Sequence, residues 1–223
     1  MAATITYLQL TKDATDLSTY TFASVNFGTA SSDRRIIVAI NGRTQDGTSS
    51  GSVISSVTIG GVSATIAVQA QNSGNTTGIA IAAVPTGTSG DVVVVFAETM
   101  TNADIATYST TGVSSDTAFS TGTSTANPLT ANINVEAGGI AVALAKSDDG
   151  AATATWSGLT ERYDEADANT NDISGASSAF ATTQTGLTVS CTWTSSVRPV
   201  YAAASFSPTA DVVKRLLLLG IGV

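Results

Sequence analysis

The stretch LTVSCTWT, residues 187–194, indicates the fold class of this chain. Its apolar residues occupy every second position from Leu187 to Trp193, and Thr or Ser fills the positions between them. This period of two is typical of a β-strand with one buried face, and it places Cys191 and Trp193 on that face. Similar short apolar runs recur along the chain, separated by Asn-Gly, Asp-Gly and Gly-Gly turns. The sequence therefore predicts an all-β protein.

Two other runs refine this prediction. Residues 92–96 form an uninterrupted β-branched and aromatic run, which predicts a strand covered on both faces. In residues 140–145, Ile, Val and Leu alternate with Ala, which again indicates a strand. Only residues 211–219 have the composition of a short helix.

The chain also repeats itself at an offset of about one hundred residues. Four segments of the first half match four segments of the second half in the same order, through shared strand and turn patterns. The pairs are 22–43 with 129–147, 56–69 with 154–165, 76–97 with 171–193, and 105–113 with 200–208. Residues 1–110 and 111–208 are therefore interpreted as two copies of one unit of about six strands.

Two such half-sheets would each be marginally stable, whereas two sheets packed face to face share one core. The repeat therefore predicts a single antiparallel β-sandwich of jelly-roll type over residues 1–208, followed by a helical or extended tail at 209–223. The alternative is two small tandem immunoglobulin-like sandwiches. Neither a Pro-rich nor a charged linker occurs near residue 110, which favours one domain.

The composition argues against several classes of function. Charged residues are 12% of the chain, against roughly 25% in an average globular protein, and the net charge is -8. The nine Lys and Arg residues are mostly scattered, which argues against a nucleic-acid partner. The single Cys excludes an internal disulfide. The opening residues lack the basic and apolar segments of a signal peptide, so we expect folding in a cytoplasm.

The sequence offers little for catalysis, because it contains no His to act as a general base or metal ligand. The acidic residues concentrate between 161 and 172, which predicts an exposed acidic loop or, alternatively, a loose calcium site. An EF-hand loop starting at Glu165 would need Gly and Glu where Thr170 and Ala176 stand. Aromatic residues are only 6%, too few for a sugar-binding cleft, and Trp156 and Trp193 both lie in strand patterns. We therefore expect no enzyme, cofactor or metal.

Two polar motifs receive structural interpretations. Asp33, Arg34 and Arg35 precede an apolar strand, and they are interpreted as a solvated turn, with a subunit ion pair as the alternative. Residues 75–77 match a glycosylation acceptor, Asn-Thr-Thr, but are interpreted as an ordinary loop.

The C-terminal residues 216–223 are the candidate binding site. This run is too short for a membrane helix, which needs about 20 apolar residues, so no membrane partner is expected. Apolar residues left in water at a chain end promote aggregation, so we expect them to dock on another protein chain, with docking on their own domain as the alternative. The predicted partner-binding residues are Leu216, Leu217, Leu218, Leu219, Ile221 and Val223.

Four stretches carry a resemblance to a known class of proteins. They are YTFASVNFGTASSDRRIIVAINGR (20–43), SSVTIGGVSAT (55–65), IAAVPTGTSGDVVVVF (81–96) and TWSGLTERYDE (155–165). In their residue types and in their order along the chain, these stretches resemble the β-sandwich structural proteins of tailed bacteriophages and prophages. The resemblance covers most of residues 18–206. The resemblance implies a virion component assembled in the bacterial cytoplasm: a capsid decoration or head-fibre protein, or a tail or fibre module.

The first functional hypothesis is a non-enzymatic structural subunit on the head exterior, bound to other virion proteins or to copies of itself. The second is a receptor- or carbohydrate-binding module of a tail fibre, using the loops at residues 41–52, 71–77 and 146–152. The scarcity of aromatic residues argues against sugar stacking on these loops.

Overall fold

The computed structural model describes residues 1–44, 52–150 and 152–210. These residues form sixteen β-strands, and every strand pair is antiparallel. The predicted all-β class is therefore confirmed. Over the described ranges, the chain has no helix that is long and apolar enough to cross a membrane.

The strands divide evenly between the two halves of the chain. The first half contains β1 (Thr4–Asp13), β2 (Leu17–Asn26), β3 (Arg35–Thr44), β4 (Ile54–Ile59), β5 (Val62–Ser63), β6 (Thr65–Asn72), β7 (Asn75–Ala83) and β8 (Ser89–Thr111). The second half contains β9 (Ser120–Ser124), β10 (Leu129–Val135), β11 (Ile140–Ser147), β12 (Ala154–Ser157), β13 (Thr160–Ala166), β14 (Asp172–Ala179), β15 (Gln184–Trp193) and β16 (Val200–Phe206). The described residues thus give eight strands per half, so the expected number of about six was too low.

The long strand β8 connects two layers of the first half. Its first part lies between β2 and β4, with Val94 opposite both Tyr20 and Val57. Its last part lies between β1 and β3, with Tyr108 opposite Tyr7 and Ile37. The first half therefore has an outer layer, β2-β8-β4-β5, and an inner layer, β1-β8-β3-β7-β6.

The second half pairs its strands in the same order. Its outer layer is β10-β15-β12 and its inner layer is β9-β16-β11-β14-β13. Strands β15 and β16 take the positions of the two parts of β8. The four sequence segments matched between the halves occupy equivalent positions in this order, which is the arrangement that the repeat hypothesis requires.

Three apolar cores separate the four layers. One lies between the layers of the first half and one between the layers of the second half. The third lies between the two inner layers and contains residues such as Ile37 and Ile81 from one half and Val142 and Leu144 from the other. The inner layers therefore pack face to face, as expected for a sandwich, but the prediction of a single core was wrong because each half has an outer layer of its own.

The inner strands are buried on both faces, which explains their uninterrupted small and apolar residues. Strand β11 is fully buried; its large residues at 140, 142 and 144 point into the middle core, and its Ala residues at 141, 143 and 145 point into the outer core. By contrast, residues 92–96 alternate between buried and half-buried positions. The prediction that this run is covered on both faces was wrong, because it belongs to an outer layer.

The pattern of residues 187–194 gives the correct buried face. Cys191 is fully buried and Trp193 is 2% exposed, and both belong to the core between the layers of the second half. Trp156 is half-buried against the same core and donates a hydrogen bond from its indole Nε1 to Ser174 Oγ at 2.7 Å. The predicted burial of Cys191 and Trp193 is confirmed.

Candidate functional site

A buried polar cluster lies at one end of the middle core. Lys146 ends the series of residues on β11 that point into this core, after Val142 and Leu144. Its ammonium group contacts the carboxylate of Asp167, and neither side chain has any solvent exposure. Because charged groups lose hydration when they are buried, such a pair persists only where both partners are well hydrogen-bonded.

Asp167 has an unusually complete set of hydrogen-bond donors. Its Oδ1 accepts from the backbone N–H groups of Asn169 and Asn171, at 2.7 and 2.9 Å. Its Oδ2 accepts from the side-chain amides of Asn102, at 2.8 Å, and Asn171, at 3.1 Å. Burial alone would raise the pKa of Asp167, but the charge of Lys146 and these hydrogen bonds outweigh it and hold the pKa below its usual value.

A second carboxyl group reaches the cluster from the first half of the chain. Asp104, on β8, is fully buried, and its Oδ2 accepts from Asn102 Nδ2 at 3.3 Å. Its Oδ1 has no hydrogen-bond partner among the described residues. Burial raises the pKa of Asp104 to about 7, the negative charge of Asp167 adds to this effect, and Lys146 opposes it. The cluster therefore contains two carboxyl groups and one ammonium group.

A second ion-pair group lies next to this cluster. Asp148, whose side chain is 3% exposed, pairs with Arg198 at 2.5 Å and with Arg43 at 3.6 Å. Arg43 also donates from Nη1 to Asn171 Oδ1 at 3.4 Å. Asn171 therefore connects the Asp148 ion pairs to the Lys146–Asp167 cluster, because its side chain accepts from Arg43 and donates to Asp167. Both groups of charges lie between the two halves.

The described parts of the three loops proposed for receptor binding come together at this end of the molecule. Thr44 N–H donates to Gly74 O at 2.9 Å, and Asn75 Nδ2 donates to Arg198 O at 3.0 Å. Arg43 and Asp148 link the first loop to the third. Residues 45–51 and residue 151 lie outside the described residues.

The acidic segment 161–172 is not an exposed loop, so that prediction was wrong. Its first residues belong to strand β13, and Asp167, Asn171 and Asp172 are buried. The physical reason is that partners distant in sequence satisfy these groups: Lys146 pairs with Asp167, and Ala152 N–H donates to Asp172 Oδ2 at 3.0 Å. No group of three or more acidic or Cys residues in the described ranges could hold a metal ion.

The predicted solvated turn at residues 33–35 is a turn, but it is not solvated. Arg34 N–H donates to Ser31 O at 3.0 Å, and the Arg34 side chain is almost fully buried. Its guanidinium group donates to five backbone carbonyl groups, at distances from 2.7 to 3.3 Å; the acceptors are Phe27, Gly28, Val84, Thr86 and Gly87. Arg35 forms an internal ion pair with Asp116 at 2.7 Å. Solvation was the wrong interpretation because three of the five acceptors, Val84, Thr86 and Gly87, come from a segment that is distant in sequence.

Residues 75–77 were interpreted as a loop, and this was also wrong. They begin strand β7 and are completely buried, and Asn75 Nδ2 is committed to the carbonyl group of Arg198. This burial leaves no accessible amide for a glycan in the folded chain.

The predicted partner-binding residues, from Leu216 to Val223, lie outside the described residues. The chain is described up to Ala210, and its last residues lie beside the N-terminus: Thr209 N–H donates to Gly112 O at 2.7 Å, and the Met1 amino group donates to Thr209 O at 3.1 Å. Gly112 directly follows β8, whereas Asp104 lies on β8, eight residues earlier in the chain. The described chain therefore ends far from the polar cluster, at the other end of the inner layers.

Sequence reasoning missed Lys146, Asn102 and Asp104 as members of a site. For Lys146 a signal was present, because it continues the alternating series of Ile140, Val142 and Leu144 and so takes a core position. The position of Asp104 opposite that series depends on how the two halves pack, which no local pattern encodes.

Comparison with known proteins adds no relative from which a role could be transferred. No protein-family model matches the chain, and no curated protein matches it.

Proposed function

We propose that this chain is a non-enzymatic structural subunit of a tailed-phage virion, displayed on the head exterior as a decoration or fibre protein. In this proposal each half is a jelly-roll unit, the two units arose by duplication, and residues 209–223 anchor the subunit to other virion proteins or to copies of itself. Assembly takes place in the bacterial cytoplasm, with no nucleic-acid, membrane or cofactor partner. The resemblance of residues 18–206 to phage β-sandwich proteins supplies the virion context.

The observation that carries the proposal is the way in which the two halves are joined. Paired domains move relative to one another unless their interface is large and apolar. Here two inner layers bury one face each in the middle core, and polar contacts link the halves around it. Lys12 pairs with Glu165 at 2.8 Å, and Asn72 Nδ2 donates to Pro199 O at 2.7 Å. A rigid body of this kind suits a structural subunit.

The use of charge supports the same role. Of the nine Lys and Arg residues, Lys214 and Arg215 lie outside the described residues, which leaves seven. Each of the seven makes a contact within the chain; they are Lys12, Arg34, Arg35, Arg43, Lys146, Arg162 and Arg198. These positively charged side chains therefore contact groups of the same chain. The outer layers present mainly Ser, Thr and Asn to solvent. Such a surface suits close packing on a particle.

The test is incorporation into particles. A chain that lacks residues 216–223 and the full chain are each produced in phage whose own copy is deleted, and purified particles are examined by mass spectrometry and by electron microscopy with an antibody to the folded body. Val62→Thr, at a position that is 41% exposed on β5, is the matched control. We expect the full chain and the control on the head exterior, and a truncated chain that melts normally but is absent from particles.

Three results would contradict the proposal in different ways. Absence of the full chain from purified particles would remove the virion role. A truncated chain that folds and still enters particles would remove the anchoring role of the tail, and one that unfolds would assign residues 216–223 to the core of their own domain.

A second function, receptor or carbohydrate binding on a tail fibre, is favoured by one observation. The described parts of the three loops at 41–52, 71–77 and 146–152 meet at the end of the molecule opposite the last described residues. A subunit anchored at one end would present these loops outward. Binding of the purified chain to host cells, lost when Ser73 is replaced by Trp, would support this alternative over a purely structural role.

A further inference from the structure

We propose that Lys146 and Asp167 form a covalent isopeptide bond in the folded protein, with Asp104 as the acid–base group of the reaction. The product would be an amide between Lys146 Nζ and the side-chain carbonyl carbon of Asp167. This inference does not rest on the proposed virion role, because it depends only on the buried polar cluster.

The first requirement of such a bond is enforced contact between the two reacting groups. Lys146 Nζ and Asp167 Oδ2 are in direct contact, and both side chains are completely excluded from solvent. Holding two reactants in this way can correspond to effective concentrations of about 10⁵–10⁸ M. The nucleophile of the reaction is the amine nitrogen of Lys146, once one of its protons has passed to Asp167.

The second requirement is a carboxyl group prepared for attack. Four N–H groups from Asn102, Asn169 and Asn171 donate to the oxygen atoms of Asp167 at 2.7 to 3.1 Å. Donors fixed around a carboxyl group also stabilise the negative oxygen that develops when its carbon atom becomes tetrahedral. The arrangement thus resembles an oxyanion hole built around Asp167.

The third requirement is a group that can move protons, and Asp104 is the carboxyl group that Asn102 connects to the reacting pair. The Nδ2 of Asn102 lies within hydrogen-bond distance of both carboxylates, 3.3 Å from Asp104 Oδ2 and 2.8 Å from Asp167 Oδ2. The second oxygen of Asp104 has no other partner among the described residues. A carboxyl group whose pKa lies near 7 can both give and take a proton at neutral pH.

The reaction balances without any further reactant. In the starting state Lys146 is an ammonium ion, Asp167 is a carboxylate and Asp104 is protonated. One ammonium proton passes to Asp167, the amine nitrogen attacks the Asp167 carbonyl carbon, and Asp104 donates its proton to the departing hydroxyl group. Asp104 then takes the remaining surplus proton from the new C–N linkage. The C–O bond breaks, one water leaves, and Asp104 ends protonated as it began.

Burial also favours the product. A buried ion pair keeps two charges in a medium that solvates them poorly. The attraction between the two charges does not always offset their loss of hydration. An amide carries no net charge, so the reaction removes both charges from the interior. The water that forms must leave a site that excludes solvent, which opposes the reverse hydrolysis.

The test is the intact mass of the purified full chain under denaturing conditions, followed by peptide mapping. We expect a mass lower than the sequence mass by one water, and a branched peptide that joins the segments containing Lys146 and Asp167. Lys146→Arg keeps the positive charge but removes the nucleophile, so it should show the full sequence mass. The Asp167→Asn variant should lose one ammonia instead of one water. A dehydration elsewhere in the chain would still remove water from this variant, so the loss of ammonia assigns the bond to residue 167.

The role of Asp104 is tested with two variants of similar size. Asp104→Asn should fold, as judged by its melting curve, but keep the full mass, whereas Asp104→Glu should restore at least part of the mass loss. A folded wild-type chain that has its full sequence mass would overturn the bond. A folded Asp104→Asn variant that loses water as completely as the wild type would overturn the assignment of Asp104.

Discussion

Replacing Ile37 by Ala should destabilise both halves of the molecule equally. Ile37 lies on β3 in the first half, is fully buried, and packs in the middle core that both halves share. The change removes three carbon atoms, worth about 0.8 kcal/mol each, or about 2.5 kcal/mol in transfer free energy. A residual cavity adds to this cost, so we expect a loss of about 3 to 4 kcal/mol in the free energy of unfolding.

Tryptophan fluorescence provides a probe that sees only the second half. The chain has two Trp residues, Trp156 and Trp193, and both lie in strands of the second half. Urea unfolding is followed by fluorescence and, in parallel, by far-ultraviolet circular dichroism, which reports on both halves. With a denaturant dependence of about 3 kcal/mol per M, the midpoint should fall by about 1 M in both signals. Thr21→Ala, on the exposed face of β2, is the control and should move neither signal by more than about 0.2 M.

The refuting result is a fluorescence transition that stays in place while the circular dichroism transition splits or shifts. It would show that the second half unfolds independently, as tandem sandwiches do, and that the middle core contributes little to cooperativity.

Three further predictions concern single side chains, and one concerns metals. Arg34→Met removes the donor to five backbone carbonyl groups and should cost about 3 to 5 kcal/mol in urea unfolding, whereas Arg162→Met, at an exposed position, should cost under about 1 kcal/mol. Burial raises the pKa of the Cys191 thiol, so its labelling in native protein should be as slow as unfolding, and labelling at the rate of a free thiol would contradict its burial. Burial raises the pKa of Asp104 from 3.8 to about 7, so the folded protein holds a proton that the unfolded chain releases. The contribution of Asp104 to stability should therefore fall as the pH rises from about 4 to 7, and Asp104→Asn should flatten that part of the pH profile of the unfolding midpoint. EDTA should lower the melting temperature by less than about 5 °C, and a larger drop would reveal a stabilising metal.

Strand composition and turn chemistry made the fold class predictable. The alternation in residues 187–194 gave the correct buried face, and the matched segments anticipated that the two halves share one strand order. The number of layers was not predictable in the same way. In β11, Ala at 141, 143 and 145 covers a second core, but the alternation of large and small residues is also the pattern of a strand with one buried face, so the second core could not be predicted from it.

The candidate site was harder to predict because its parts come from distant positions. Asp104 and Lys146 are brought together only by the packing of one inner layer on the other. Local reasoning assigns charged residues to the surface, which is correct for most of them, and it therefore placed Arg34 and Asp167 in solvent. Both are buried because carbonyl or amide groups from other strands and loops satisfy them.

The composition of the buried cluster connects the covalent chemistry to the packing of the two halves. Lys146 and Asp167 belong to the second half, whereas Asn102 and Asp104 belong to the first. An isolated second half would contain the reacting pair but would lack both Asn102, one of the two amides that donate to Asp167 Oδ2, and the carboxyl group that moves protons. The apolar inner faces alone would tolerate small shifts in their relative position, since apolar contact is not directional. The reaction tolerates no such shift, because it needs contact to within a hydrogen bond. An isopeptide bond would therefore form only in chains whose two halves have packed in the correct register, and would then fix β11 to the connection between β13 and β14.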